Sequence, residues 1–199
     1  MSPRPRGFDL NHALDAAMAT FWDKGYAGTS AQDLVESTGL GRGSLYNTFN
    51  SKRGLFEAAL RRYDTEWTSR LTTLLEEGEG PARERIRAVL LSVVDEETAD
   101  TPEHRGCLVV NTAMEMAGQD PEITEHVRGT FARMQTALRV SIEQGQRDGS
   151  MAGDQEPQAL AVFLLNSMYG LRVLGKVSDR ATLSALVDQI LPPAPRATP

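Results

Sequence analysis

One cysteine in 199 residues excludes an intrachain disulfide framework and suits a reducing compartment. No apolar run approaches the length of a membrane span. The opening MSPRPRGFDL has basic residues with no apolar stretch behind them, so no secretory leader is expected, and the expected location is the cytoplasm. Catalytic signatures are missing as well. The chain has no G-x-S-x-G, no H-E-x-x-H and no E-x-x-H pair of the kind that builds a di-iron centre in a helical bundle. His104 and Cys107 make an H-x-x-C beside Glu103, short of the four ligands of a closed zinc set, and His12 and His126 lie far away in sequence. No metal and no cofactor is expected. Strand signals are nearly absent too: only Cys107-Leu108-Val109-Val110 is β-prone, and it is too short and isolated to seed a sheet.

What is present reads as helix. Leu10, Ala13, Leu14, Ala17, Met18, Phe21 and Trp22 recur at three- and four-residue steps, so a first helix starts after Asp9 and stops at Gly25. Thr29 or Ser30 caps a second helix ending at Gly39, a third fits 42–49, and Ser51 caps a long fourth over 52–77. Pro81 opens a fifth to Ala99, and a sixth covers Gly106 to Ala117. Asp120-Pro121 starts a seventh to Arg147, and two more run from Pro157 to Lys176 and from Asp179 to Leu191. The proline-rich residues 193–199 cannot continue a helix and are expected to be disordered. The predicted fold is all-α, with about nine helices. Three segments follow from it: a head of three helices over 1–50, a connecting helix over 51–77, and a helical body over 78–192. The net charge of −6 divides unevenly, because residues 1–62 hold eight Lys/Arg against six Asp/Glu and the remainder thirteen against twenty-one. A mildly basic head on an acidic body can meet DNA with the head alone.

Residues 30–50, SAQDLVESTGLGRGSLYNTFN, carry the chemistry. Two short helices flank a turn at Gly39, and Leu34, Val35, Leu40, Leu45 and Phe49 are spaced to pack them together. Arg42, Gly43, Ser44, Tyr46, Asn47 and Thr48 are left outward on the second helix, as in a helix-turn-helix lying in the major groove. Arg42 suits a bidentate pair with guanine, and Asn47 suits adenine or a phosphate. Gly43 admits the backbone, Tyr46 and Lys52 offer a hydroxyl and a charge to phosphates, and Thr29 and Ser30 offer a hydroxyl and a helix N-terminus to another phosphate. Arg4 and Arg6 form a short basic arm. Helical hairpins with glycine turns also occur in proteins that never touch DNA, so the turn alone leaves the matter open. A phosphate loop is excluded: Gly39, Gly41 and Gly43 alternate, yet no strand precedes them and no G-K-[ST] follows.

The first sixty residues resemble the DNA-binding domain of the TetR family of bacterial transcriptional regulators. The shared pattern F-x-x-x-G-Y-x-G-T-S is carried by Phe21, Gly25, Tyr26, Gly28, Thr29 and Ser30. It continues through D-L-V-x-x-T-G-L and G-S-L-Y-N-x-F-x-S-K, ending at Ser51 and Lys52, and then G-L-F at 54–56. Val35 and Thr38 stand where small alanines are frequent. The resemblance implies a helix-turn-helix DNA-binding domain over 1–50 and a ligand-binding and dimerisation domain over 78–192, with a homodimer through the last two helices, a double-stranded palindromic operator, and a repressor released by a small-molecule effector. The wide apolar stripes Leu160, Phe163, Leu164, Met168, Leu171 and Leu174, and Leu183, Leu186, Val187 and Ile190, allow such a dimer.

The resemblance also implies an effector pocket among the middle helices. Its candidate lining is Tyr63, Trp67, Cys107, Asn111, Met114, Phe131, Met134, Asn166 and Tyr169, a mostly apolar wall suited to a hydrophobic or amphipathic molecule. The segment RGCLVVNTAMEMAGQDPEI resembles a branch of the family whose members respond to electrophiles through a cysteine. Arg105 and Lys176 would there favour the thiolate of Cys107, against the plainer reading of a small buried hydrophobe. A helical enzyme is the remaining class, and loss of operator binding on mutating Arg42 or Tyr46 separates the two.

Overall fold

Residues 10–99 and 105–191 are described in the computed structural model of the protein, and among them every regular element is a helix. Arg4, Arg6, Asp9, Thr101-Pro102, Glu103, His104 and the tail beyond Leu191 lie outside the described residues. α1 (Leu10–Gly28) buries Ala13, Ala17, Met18 and Phe21 along one stripe, and Gly25 breaks it at φ 71° and ψ 173°. Only a residue without a Cβ adopts that left-handed backbone at little cost. α2 (Ala31–Thr38) starts at Ser30 in a reciprocal cap, in which Asp33 N–H donates to the Ser30 hydroxyl and Ser30 N–H to the Asp33 carboxylate. Of the two residues proposed to cap α2, Ser30 does so and Thr29 does not.

α2 turns through Gly39, at φ 68°, into α3 (Arg42–Phe49). The Thr38 hydroxyl is buried in this turn, donating to the Leu34 carbonyl at 2.5 Å and accepting from Leu40 N–H at 3.3 Å. A hydroxyl where alanine is frequent therefore ties the turn rather than opening it.

The long fourth helix is one continuous rod of three parts: α4 (Lys52–Tyr63), a π-helical turn over Asp64–Thr68, and α5 (Ser69–Glu77). The wide turn is pinned from outside. Asp64 accepts from Thr68 at 3.1 Å and, across to the neighbouring helix, from Thr130 at 2.9 Å and Arg133 at 2.8 Å. Burial pushes the Asp64 carboxyl up, but hydrogen bonds from His126 and Thr130 and the nearby charges outweigh it and hold it below its usual range. Beyond the rod come α6 (Ala82–Glu97), α7 (Leu108–Met116), α8 (Pro121–Asp148), α9 (Pro157–Leu174) and α10 (Arg180–Ile190). α7 starts two residues later than the sequence pattern places it, because Gly106 sits at φ 69°.

Two cores result. Leu75, Ile86, Leu90, Val93, Leu138, Ile142, Leu164, Met168, Leu183 and Val187 fill the body between α5, α6, α8, α9 and α10. The other core joins Phe21, Leu34, Leu45, Leu55, Phe56 and Leu60 of the head to Leu108, Val109 and Met116 of α7 and Ile123 and Val127 of α8. Burial of each such large side chain contributes roughly 1.5–3 kcal/mol. The head therefore shares its core with the corner where α7 meets α8.

Candidate nucleic-acid interface and effector cavity

The outer face of α3 is open. Arg42, Gly43, Ser44, Asn47 and Thr48 are exposed, while Leu45 is buried against Leu34 and the α4 side chains. Tyr46 is half-buried, with the Arg42 guanidinium 5.8 Å from its ring centroid. A Cβ added at Gly41 or Gly43 would meet nothing within 4 Å, and neither residue has positive φ, so the fold itself does not require glycine there. The first turn of α3 has no side-chain cap, which leaves its N–H groups pointing outward. Lys52 is half-buried at the start of α4, its Nζ 4.4 Å from the Tyr26 ring centroid.

Thr29 and Ser30 are placed differently from the rest of the proposed contacts. Thr29 is buried and its hydroxyl donates to the Gly25 carbonyl at 2.6 Å. The Ser30 hydroxyl is occupied by Asp33 in both directions. Hydrogen bonds from Lys24 and Ser30 hold Asp33 far below the usual carboxylate range, so that arrangement stays charged. Both hydroxyls are used within the fold, shaping the α1–α2 joint.

In the body, Tyr63, Trp67, Cys107, Met134 and Tyr169 surround one small cavity of about 20 Å³, together with Thr130, Met168 and Arg172. It has room for about one water. The Tyr63 hydroxyl donates to the Cys107 sulfur at 3.3 Å, and burial, with Cys107 beside it, pushes the Tyr63 phenol well up. Burial also pushes the Tyr169 phenol up. Phe131 packs on Tyr169, ring centroids 4.7 Å apart, behind this wall.

Three of the proposed lining residues stand elsewhere. Asn111 is turned aside to donate to the Arg105 carbonyl at 2.9 Å. Met114 is 85% exposed, because the buried stripe of α7 runs through Leu108, Val109, Thr112 and Met116. Asn166 is exposed on the outer face of α9, opposite Leu164, Leu165 and Met168.

The charge near Cys107 also differs from expectation. Arg105 pairs with Asp23, Nε to Oδ1 at 2.6 Å, and lies over the Trp22 ring. Lys176 runs alongside Gly106, where an added Cβ would stand 2.9 Å from its Cε. The cation in the wall is Arg172, 4% exposed, donating to Glu97 and to Glu96 at 2.9 Å each. Burial raises the Glu97 carboxyl above its usual value even with Arg172 beside it. Sequence reasoning missed Arg172. A signal existed, since it falls four residues after Met168 on the apolar stripe of α9, facing the paired glutamates that end α6. Trp67 and Arg172 are shared with an outer cleft of about 350 Å³, which Trp22, Glu96, Glu97, Arg105 and Gly106 also line.

Residues 13–59 match the family of bacterial regulatory proteins, tetR family, and residues 82–190 match the tetracyclin repressor-like C-terminal domain. The chain belongs to the TetR family. It is 30% identical to the HTH-type transcriptional regulator YezE of Bacillus subtilis, over 94% of this chain and 95% of that one. It is also 30% identical to the HTH-type transcriptional repressor ComR of Escherichia coli, over 92% and 86%. Among solved structures, a cysteine-substituted form of the TetR family regulator CifR, complexed with 26-bp double-strand operator DNA, is 33% identical. It superposes with a TM-score of 0.84 over 99% of this chain and 100% of that one. As a TetR family member the chain is a helix-turn-helix transcriptional regulator, and α2, the Gly39 turn and α3 are its helix-turn-helix.

The opposite end of this TetR family chain carries an apolar face. Val162, Phe163, Val173 and Leu174 of α9 are 43–56% exposed, and Phe163, Leu160, Ile190 and Leu191 line an open groove of about 600 Å³ between α9 and α10. Among the described residues no three His, Cys, Asp or Glu side chains are grouped to hold a metal ion, and no helix is long and apolar enough to cross a membrane.

Proposed function

We propose that this regulator is a cytoplasmic repressor that binds a palindromic operator as a homodimer and is released by a small molecule. The observation that carries the reading is the α3 surface: Arg42, Ser44 and Asn47 are exposed around glycines that the fold does not require. A surface so cleared suits close approach to base edges. Arg42 and Asn47 take base edges, while Ser44, Tyr46 and Lys52 take phosphates. The operator complex of CifR and the repressor name of ComR support the same assignment. The exposed α9 face supplies the dimer, whose two-fold axis matches a palindrome with reading helices roughly 34–36 Å apart. No catalytic step is part of the reading.

The effector enters through the outer cleft beside Trp22 and Trp67 and widens the closed cavity behind it. Aromatic walls next to the Arg172–Glu97 pair suit an amphipathic molecule. Cys107, 6% exposed and hydrogen-bonded by Tyr63, acts as part of the wall.

Fluorescence anisotropy on duplexes from the DNA flanking its own gene, at several salt concentrations, tests the proposal. Tight binding to one palindrome is expected, with Arg42→Ala weaker by about 5- to 100-fold, the range of one bidentate base contact. Equal binding by wild type and Arg42→Ala on that duplex would refute the assignment of α3.

A further inference from the structure

Glu115 lies in the last turn of α7, where a carboxylate faces the negative end of the helix dipole. Among the described residues it has no ion pair. Its two oxygens are used on backbone instead: Oε2 accepts Tyr26 N–H at 2.8 Å, and Oε1 accepts Ala27 N–H at 2.6 Å. These donors directly follow the break at Gly25, and a Cβ on that glycine would stand 2.8 Å from Glu115 Oε2. The same joint is closed by Thr29 on the Gly25 carbonyl, and the Tyr26 ring packs 5.0 Å from Phe56 beneath Lys52. The backbone that leads into α2 and α3 thus rests on a side chain of the body.

A second tie leaves the same corner. Arg53, in the first turn of α4, donates to both oxygens of Asp120, one at 2.9 Å, and to Glu122 at 2.9 Å. Glu115, Asp120 and Glu122 span the α7–α8 corner, so two ties hold the head from one side, carboxylate-to-backbone hydrogen bonds at α1 and an ion pair at α4.

We propose that Glu115 is a positioning residue for operator recognition: with the Arg53–Asp120 pair as its counterpart, it fixes the angle of the head on the body and so the spacing between half-sites that the dimer accepts. The assignment rests on the dimeric-operator reading. Glu115 touches no base. A carboxylate accepting two N–H groups resists rocking of the joint in a way that apolar packing does not, because both bonds are directional and charge-assisted.

The test uses the full-length protein and an operator selected from a random duplex library, remade with its centre longer or shorter by one and by two base pairs. Wild type should prefer one spacing sharply. Glu115→Gln has the same size, but one of its two acceptors is replaced by an amide donor facing a backbone N–H. It should bind the preferred spacing about tenfold more weakly, a loss typical of a charge-assisted bond. It should also discriminate poorly between spacings, while keeping the half-site sequence preference and the salt slope that counts phosphate contacts. Asp120→Asn keeps the helix cap but weakens the hold on Arg53, so it should flatten the spacing preference in the same sense and serves if Glu115→Gln does not fold. Spacing selectivity equal to wild type in the folded variants would overturn the role of the corner alone. A wild type indifferent to spacing would overturn it together with the dimeric-operator reading.

Discussion

Gly54 shows how a single residue in the head is chosen by the backbone around it. It lies in the first turn of α4, where its N–H is capped by Ser51 Oγ at 3.0 Å, and a Cβ there would stand 2.1 Å from the Phe49 carbonyl oxygen. The obstacle is backbone at the end of α3, so relief requires the reading helix to move against α4. Gly54→Ala, favourable in an ordinary helix interior, should here destabilise by about 1–3 kcal/mol, as overpacking does, and weaken operator binding alongside. Urea unfolding checks the first and anisotropy the second; a stabilised variant would show that the joint adapts. Gly54 belongs to a motif visible in the sequence, but the reason for it depends on where the Phe49 carbonyl ends up. The same holds for Glu115, bonded to a residue 89 positions away, and for Arg172 and Glu97, 75 positions apart. No local pattern encodes such pairs. Thr29 shows the converse: a hydroxyl at a helix start looks free in the sequence, whereas in the fold it donates to the Gly25 carbonyl.

At the scale of helices, local signals read well where the physics is local. Ser30, Ser51, Asp120 and Asp179 cap the helices whose starts they mark, and Pro121 and Pro157 open α8 and α9. The π turn at Asp64–Thr68 was invisible because one extra residue shifts the apolar stripe too little to break it, and its partners Thr130, Arg133 and His126 come from α8. The start of α8 joins both scales. Hydrogen bonds from Arg53, and then from the Ile123 N–H, bring the Asp120 carboxyl from 3.8 down to about 2. A carboxyl depressed in the folded state stabilises the fold above its unfolded value and loses that contribution as pH falls toward the folded one. The tie at Arg53 is therefore complete above pH 3.8 and released as the pH approaches about 2. Asp120→Asn should be less stable than wild type at neutral pH, and the difference should close across that window. Urea midpoints measured at a series of pH values read this directly; a difference that persists unchanged to the acid end would mean that the carboxylate charge is not what holds the corner.

For the whole molecule, the two ends divide the work by polarity. The head is mildly basic with a polar α3 face, whereas the body is acidic and leaves Val162, Phe163, Val173 and Leu174 exposed along α9. A face of this kind on one protomer is the expected site of a second copy, and a two-fold pair is what places two α3 helices on one face of a duplex. Phe163 is 50% exposed, so much of its surface is not used within the protomer. Phe163→Glu should therefore change protomer stability by less than about 1–2 kcal/mol, a partial loss of one aromatic burial. In the dimer it would place a carboxylate opposite its own symmetry mate in an apolar seam, where like charges repel. Sedimentation equilibrium should find the variant monomeric at concentrations where wild type is dimeric. Affinity for the palindrome should fall by about 100-fold or more as the second half-site stops contributing, while binding to an isolated half-site stays as in wild type. A variant that remains dimeric would move the interface off α9. A monomer that binds the palindrome undiminished would detach operator recognition from dimerisation, and with it the link between half-site spacing and the corner of α7 and α8.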